Sequence, residues 1–251
     1  MVDRLRGRRS PRTAVVWDVL RAALAAQART TGHTELDILD AGGGTGGFAV
    51  PLAELGHTVT VVDPSPDALA SLERRAAEAG VSSRIRGVQG DVAGLLDVVE
   101  TSSADVVLCH GVLEHVEDPA AAITVLARAV RSGGVLSLLV AQRTAIVLSR
   151  ALSGHFAEAL HALHDPDGRW GSGDPVPRRF TQAEILSLLT ASGLTVRTIH
   201  GAPVFADLVP GSLVDLEPGA AEALAELEPA VAEHPVLAGV ATALHLLAVR
   251  D

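Results

Sequence analysis

The segment Asp40-Ala41-Gly42-Gly43-Gly44-Thr45-Gly46-Gly47 follows the apolar run Leu36 to Leu39 and leads into a helical pattern. Glycines let a backbone turn tightly and approach a ligand closely, and the first turn of a helix offers N–H groups with no intrahelical partner. The spacing fits two patterns. Gly42, Gly44 and Gly47 satisfy G-x-G-x-x-G, while Asp40, Gly42, Gly44 and Gly46 satisfy D-x-G-x-G-x-G, so the glycines alone leave the ligand open. Asp63, just before Pro64 at the end of the next apolar run, supplies a carboxylate able to accept both hydroxyls of a ribose. Nicotinamide cofactors and S-adenosylmethionine share that demand. Asp91 and Val92 end a third run, where a carboxylate would meet an adenine edge, and a fourth run ends at His110.

Each residue also has a plainer role open to it. Asp63 and Asp91 could cap the helices that follow them, the glycine turn could serve tight strand-helix packing, and His110 could be an ordinary loop histidine. His115 suits a structural position. His110 with His115, and His161 with His164 and Asp165, lack a recognised metal-ligand spacing, so no metal is expected. A single cysteine, Cys109, excludes an internal disulfide and fits a reducing compartment, so a cytoplasmic location is expected.

The elements that would position these groups read from the periodicity of the chain. Its 251 residues, 48% hydrophobic, are enough for one large domain. Acidic residues number 30 against 20 basic ones, a net charge of −10 that removes the broad basic field of a general nucleic-acid binder. Every basic residue is arginine. Met1 to Ser10 form a basic arm, and Pro11 to about Ala26 carry apolar residues at helical spacing, with Ser10 as a possible cap. Strands are predicted over 37–40, 58–62, 85–89, 104–109, 135–140, 194–200 and 244–249. Helices are predicted over 46–55, 66–79, 119–129, 181–191 and 219–231, with a capping box formed by Thr181 and Glu184. Such alternation gives a doubly wound, Rossmann-like α/β fold with a mainly parallel seven-stranded sheet. Between Ala141 and Pro177 the alternation breaks around one amphipathic stretch, 146–163, punctuated by glycine and proline, which reads as a lid or acceptor-side insertion after strand five. No apolar run approaches the length of a membrane span or resembles a cleaved leader.

Taken in order, Asp40 to Gly46, Asp63, Gly90-Asp91-Val92, His110-Gly111-Val112-Leu113-Glu114 and Arg131-Ser132-Gly133-Gly134-Val135-Leu136 resemble the motifs of class I S-adenosylmethionine-dependent methyltransferases. Nearly the whole chain takes part, which implies a single methyltransferase domain over 1–251, with the arm and first helix over 1–30 and the insertion over 141–177. A narrower likeness adds Arg12-Thr13-Ala14-Val15-Val16-Trp17, Gly154-His155-Phe156, Gly201 to Asp207 and Leu227-Glu228. These resemble the tRNA 5-carboxymethoxyuridine methyltransferase family. By that resemblance Arg12 would meet the cofactor carboxylate. Gly44 and Thr45 would meet the methionine end, Asp63 the ribose, Asp91 the adenine region and His110 the floor beside the sulfonium, with Asp40, Gly42, Gly43, Pro64 and Val92 as further cofactor-binding residues.

The chain departs from that family on the acceptor side. It has Gly168-Arg169-Trp170-Gly171-Ser172-Gly173-Asp174 in place of a lysine-rich run, His115 where a tryptophan is usual, and Ala141-Gln142-Arg143 where an asparagine is usual. No catalytic base is evident, and Arg143, Arg178 and Arg179 are candidates to clamp a carboxylate acceptor. The reading is methyl transfer to an O atom, a carboxylate included, or an N atom of a small molecule, with modified tRNA as the alternative. A non-catalytic cofactor-binding regulator and a nicotinamide oxidoreductase are the competitors from other classes, the latter lacking a credible hydride-site Tyr or Lys.

Overall fold

The computed structural model describes residues 11–251, the side chains of Pro11, Arg12 and Asp215 excepted. The basic arm and the Ser10 cap lie outside the described residues. Helix α1 spans Pro11–Thr31. It outruns the apolar spacing because nothing after Ala26 breaks the helix until Gly32, whose φ of 73° ends it and whose N–H donates to Ala28 O at 3.0 Å.

Seven strands follow: β1 (Asp37–Ala41), β2 (Thr58–Asp63), β3 (Ile85–Gln89), β4 (Ala104–His110), β5 (Val130–Ala141), β6 (Leu194–Gly201) and β7 (Ala243–Arg250). They form one sheet in the order β3-β2-β1-β4-β5-β7-β6, with β1 to β5 paired in parallel and one antiparallel pair at the edge. Val59, Val61, Val106, Val107 and Leu108 are buried as central parallel strands require. Strand β5 starts five residues before the run that predicts it. Ala104 pairs with Val130 and Val106 with Val135, so Arg131 to Gly134 bulge from the ladder between two paired positions.

The helices are α2 (Ala49–Glu54), α3 (Pro66–Glu78), α4 (Leu95–Val98), α5 (Pro119–Ala129), α6 (Arg143–Leu152), α7 (Phe156–His164), α8 (Gln182–Ala191), α9 (Gly211–Leu216) and α10 (Ala220–Val231). Their starts are chemically marked. Ser65 caps α3 by accepting from Ala68 N, and Asp118 caps α5 by accepting from Ala120 N and Ala121 N, each with proline next. The Thr181–Glu184 capping box forms as expected, Thr181 N donating to Glu184 Oε2 at 2.7 Å and Glu184 N to Thr181 Oγ1 at 3.3 Å. Helix α2 is shorter than predicted because residues 42–48 are spent in turns. The amphipathic insertion resolves into two helices, α6 and α7, separated at Gly154.

Two compact units emerge. One comprises α1 through Arg21, Val140–Glu184 and Ile199–His245; the other Ala22–Leu139, Ile185–Thr198 and Leu246–Asp251. The first has a small core of Val204, Val231 and Ala241 with Phe205, Leu237 and Val240 against it. The second buries Leu36, Leu72, Leu95, Leu108, Ile123, Leu126, Leu136 and Leu138 completely.

Candidate active site

Strand β1 delivers Asp40 and the glycine turn together. Gly42 has φ 78°, and a Cβ there would lie 2.3 Å from Val112 Cγ2. A Cβ on Gly43 would stand 2.4 Å from Asp40 Oδ2. Bare backbone is therefore a steric requirement at both positions. Asp63, at the end of β2, ties the turn to the next loop: Oδ2 accepts from Gly44 N and Oδ1 from Ser65 N, each at 2.9 Å. Ser65, not Asp63, is the side-chain cap of α3. Each Asp63 oxygen keeps acceptor capacity for a ligand hydroxyl.

Asp40 differs from Asp63. It is 3% exposed, and its Oδ2 is buried without a hydrogen-bond partner among the described residues. Burial, reinforced by the charge of Asp63, pushes its carboxyl up to about 7. An orphaned carboxylate oxygen under a glycine turn is costly in an empty protein and suits a ligand bearing a donor or positive charge.

The other predicted cofactor residues lie at the carboxyl ends of their strands or beside the turn. Thr45 is exposed and receives Arg75 Nη1 on its carbonyl at 2.8 Å. Pro64 is exposed, and its carbonyl accepts from Gln89 Nε2 at 3.4 Å. Asp91, after β3, accepts from Gly94 N at 2.8 Å, which is a local turn contact, and Val92 is buried. Arg12 belongs to α1, but its side chain lies outside the described residues.

His110 ends β4. Its Nε2 meets Ser137 Oγ of β5 at 2.9 Å, and its ring packs edge-on against Phe48 with centroids 4.6 Å apart. Burial drives its pKa down to about 3, so the ring is neutral at ordinary pH. Spacing does not flag Phe48 or Ser137. The available signal for Ser137 is that it interrupts the apolar run Val135 to Val140. The neighbouring Cys109 thiol is pushed up by burial and by the charges of Glu114 and Asp40, which leaves it unreactive.

The arginines expected to clamp an acceptor are committed elsewhere. Arg143 donates to the Pro166 carbonyl and to Glu184 Oε1, the latter at 3.2 Å. Arg178 Nε meets Asp167 Oδ1 at 3.0 Å. Arg179 makes a bidentate pair with Asp174 at 2.6 and 3.0 Å. Burial alone would raise Asp174, but Arg179 and the N–H groups of Trp170 and Val176 hold its carboxyl below the usual range. In the same unit Glu228, fully buried, accepts from Val204, Phe205 and Ala206 N at 2.7, 2.8 and 2.6 Å.

Comparison with known proteins assigns the chain to a family. A family model described as a methyltransferase domain matches residues 39–138. The chain is 31% identical over 196 residues to the tRNA 5-carboxymethoxyuridine methyltransferase of Escherichia coli (strain K12), covering 78% of this chain and 72% of that protein. It is 34% identical over 167 residues to a ubiquinone biosynthesis O-methyltransferase of Methylobacterium nodulans, covering 64% of this chain and 60% of that one. In fold it is similar to magnesium protoporphyrin IX methyltransferase from Synechocystis with bound SAH, with a TM-score of 0.61, 18% identity and coverage of 96% and 86%. The chain belongs to the S-adenosylmethionine-dependent methyltransferase family, and S-adenosylmethionine is its cofactor.

Proposed function

We propose that the protein methylates an O or N atom of a small molecule. The observation that carries this reading is the internal commitment of Arg143, Arg178 and Arg179 to Asp167, Asp174, Glu184 and backbone carbonyls. A protein that grips a folded RNA needs several cations free for phosphates, and the net charge of −10 works against such binding.

The residues present fit the cofactor. Asp63 retains lone pairs for ribose hydroxyls, the turn from Gly42 to Thr45 admits a ligand against bare backbone, and Asp40 offers its orphaned oxygen toward an ammonium. Asp91 and Val92 stand for the adenine side and Pro64 for the ribose side. When bound, the cofactor supplies a methyl group already activated on a sulfonium. The protein's part is alignment, which can supply roughly 7–11 kcal/mol. A neutral His110, oriented by Ser137 and Phe48, adds no positive charge beside a sulfonium. No catalytic residue is assigned.

A second reading, methylation of a modified tRNA nucleoside, is favoured by the 78% of the chain over which it resembles the E. coli tRNA enzyme, well beyond residues 39–138. One experiment separates the two. The protein is incubated with methyl-labelled S-adenosylmethionine and either a metabolite extract or tRNA bearing 5-carboxymethoxyuridine. Turnover into the small-molecule fraction is expected; stoichiometric label in the wobble nucleoside at catalytic enzyme concentration would replace the first reading by the second.

A further inference from the structure

Strands inside a parallel sheet bury both faces and read as apolar runs. Strand β2 does so on one face, where Val59 and Val61 are fully buried, but its other face carries Thr58 and Thr60. The registers pair Asp37 with Thr58, Leu39 with Thr60, and Thr60 with Arg86 of the edge strand β3, so these side chains project to the same side of the sheet. Hydroxyls and a guanidinium thus stand where a covering helix would demand aliphatic groups.

The connection from β3 to β4 explains why no helix covers them. A Cβ on Gly90 would stand 3.3 Å from both Val62 Cγ1 and Val98 Cγ2, which places α4 over the carboxyl half of this face. Four residues of helix reach only about 6 Å. Over the amino half lies a cavity of about 820 Å³, floored by the side chains just named and walled by the chain from α4 to the start of β4. Its volume falls within the roughly 300–1,000 Å³ usual for small-molecule sites. Asp40 and Asp63 stand toward the carboxyl ends of β1 and β2, so this cavity is separate from the candidate cofactor site.

Two of its polar groups are already matched. Arg131 Nη2 meets Asp37 Oδ2 at 2.8 Å, and Thr58 Oγ1 donates to Glu35 Oε1 at 2.9 Å. Arg86, Asp97 and Glu100 differ. All three are exposed, and among the described residues none of their side chains has an ion pair or a hydrogen bond. Arg86 belongs to the floor beside Thr60, its neighbour across the β2-β3 pairing, whereas the two carboxylates belong to the wall. Opposite charges that line one cavity without meeting provide two anchor points. The guanidinium fork and a hydroxyl suit a carboxylate, and the acidic pair suits an ammonium. Two carboxylates against one cation disfavour a multiply charged anion such as a phosphate.

We infer that this cavity binds a small zwitterion, a free amino acid or short peptide, with its carboxylate on Arg86 and Thr60 and its ammonium toward Asp97 and Glu100.

Ligand-observed NMR on the full chain, with excess S-adenosylhomocysteine to keep the probes from the candidate cofactor site, tests this. Glycylglycine and ε-aminocaproate carry both charges at different spacings; caproate carries the carboxylate alone and hexylamine the ammonium alone. The tighter of the two zwitterions binds at least about tenfold more tightly than either singly charged probe. Arg86→Gln weakens that zwitterion by about threefold to tenfold, and so does the double variant Asp97→Asn with Glu100→Gln. These positions are exposed, so the variants keep the fold, which circular dichroism checks. Absence of binding by both zwitterions, singly charged probes that bind as tightly, or an affinity that survives either variant overturns the inference.

Discussion

The glycine-turn region and the region around Asp174 and Glu228 treat buried carboxylates in opposite ways. Around the turn, Asp40 is 3% exposed and leaves Oδ2 without a partner among the described residues. In the other region, Glu228 is fully buried yet receives three N–H groups, and Asp174 receives the fork of Arg179. Burying an unpaired carboxylate is expensive, whereas a paired one holds its surroundings in place. The region around Asp174 and Glu228 is thus finished by the chain itself. The turn is left to be finished by a ligand.

That contrast breaks most visibly at Glu228. Glu228→Ala strands three backbone donors, one buried and two part-buried, and each is worth about 1–3 kcal/mol when left unmade. A loss of about 3–5 kcal/mol is expected in urea unfolding, with the loop that carries these donors exchanging its amides faster. A loss below about 1 kcal/mol would show that the loop holds itself.

Asp40 should respond with the opposite sign. An unfolded carboxyl titrates near 3.8 and the folded one near 7, so the folded protein binds more protons between those values. The stability this gives is complete below about pH 3.8 and is lost as pH rises through 7, up to about 4 kcal/mol in the ligand-free protein. Asp40→Asn should therefore gain thermal stability over the unaltered protein as pH is raised from 5 to 8, and should bind S-adenosylhomocysteine less tightly. If the variant is less stable at pH 8 and binds as before, Asp40 is an ordinary structural carboxylate.

The two regions also differ in how openly the sequence announces them. Around the turn, β-branched runs, glycines, and proline after Ser65 and Asp118 each have one local meaning, and the matching elements form close to where periodicity predicts them. Where local rules compete, the boundaries slip. The alternating glycines delay α2, and the Arg131 to Gly134 bulge conceals the start of β5. Single-turn α4 and α9 are too short to show a period. Around Asp174, arginines read as acceptor clamps turn inward, because pairing Arg179 with Asp174 is a contact that only the folded loop creates. Glu228 is visible in the sequence as a residue before a closing strand, but its three donors come from a loop more than twenty residues earlier.

If the glycine turn and Asp63 form a site completed by S-adenosylmethionine, Asp63 carries a measurable share of the binding. Isothermal titration of S-adenosylhomocysteine into the unaltered protein and Asp63→Ala, with circular dichroism confirming that both are folded, tests it most directly. Charge-assisted hydrogen bonds are worth roughly 1.5–3 kcal/mol each, so the account predicts binding by the first and at least about tenfold weaker binding by the second. Equal affinities in two folded proteins would contradict it.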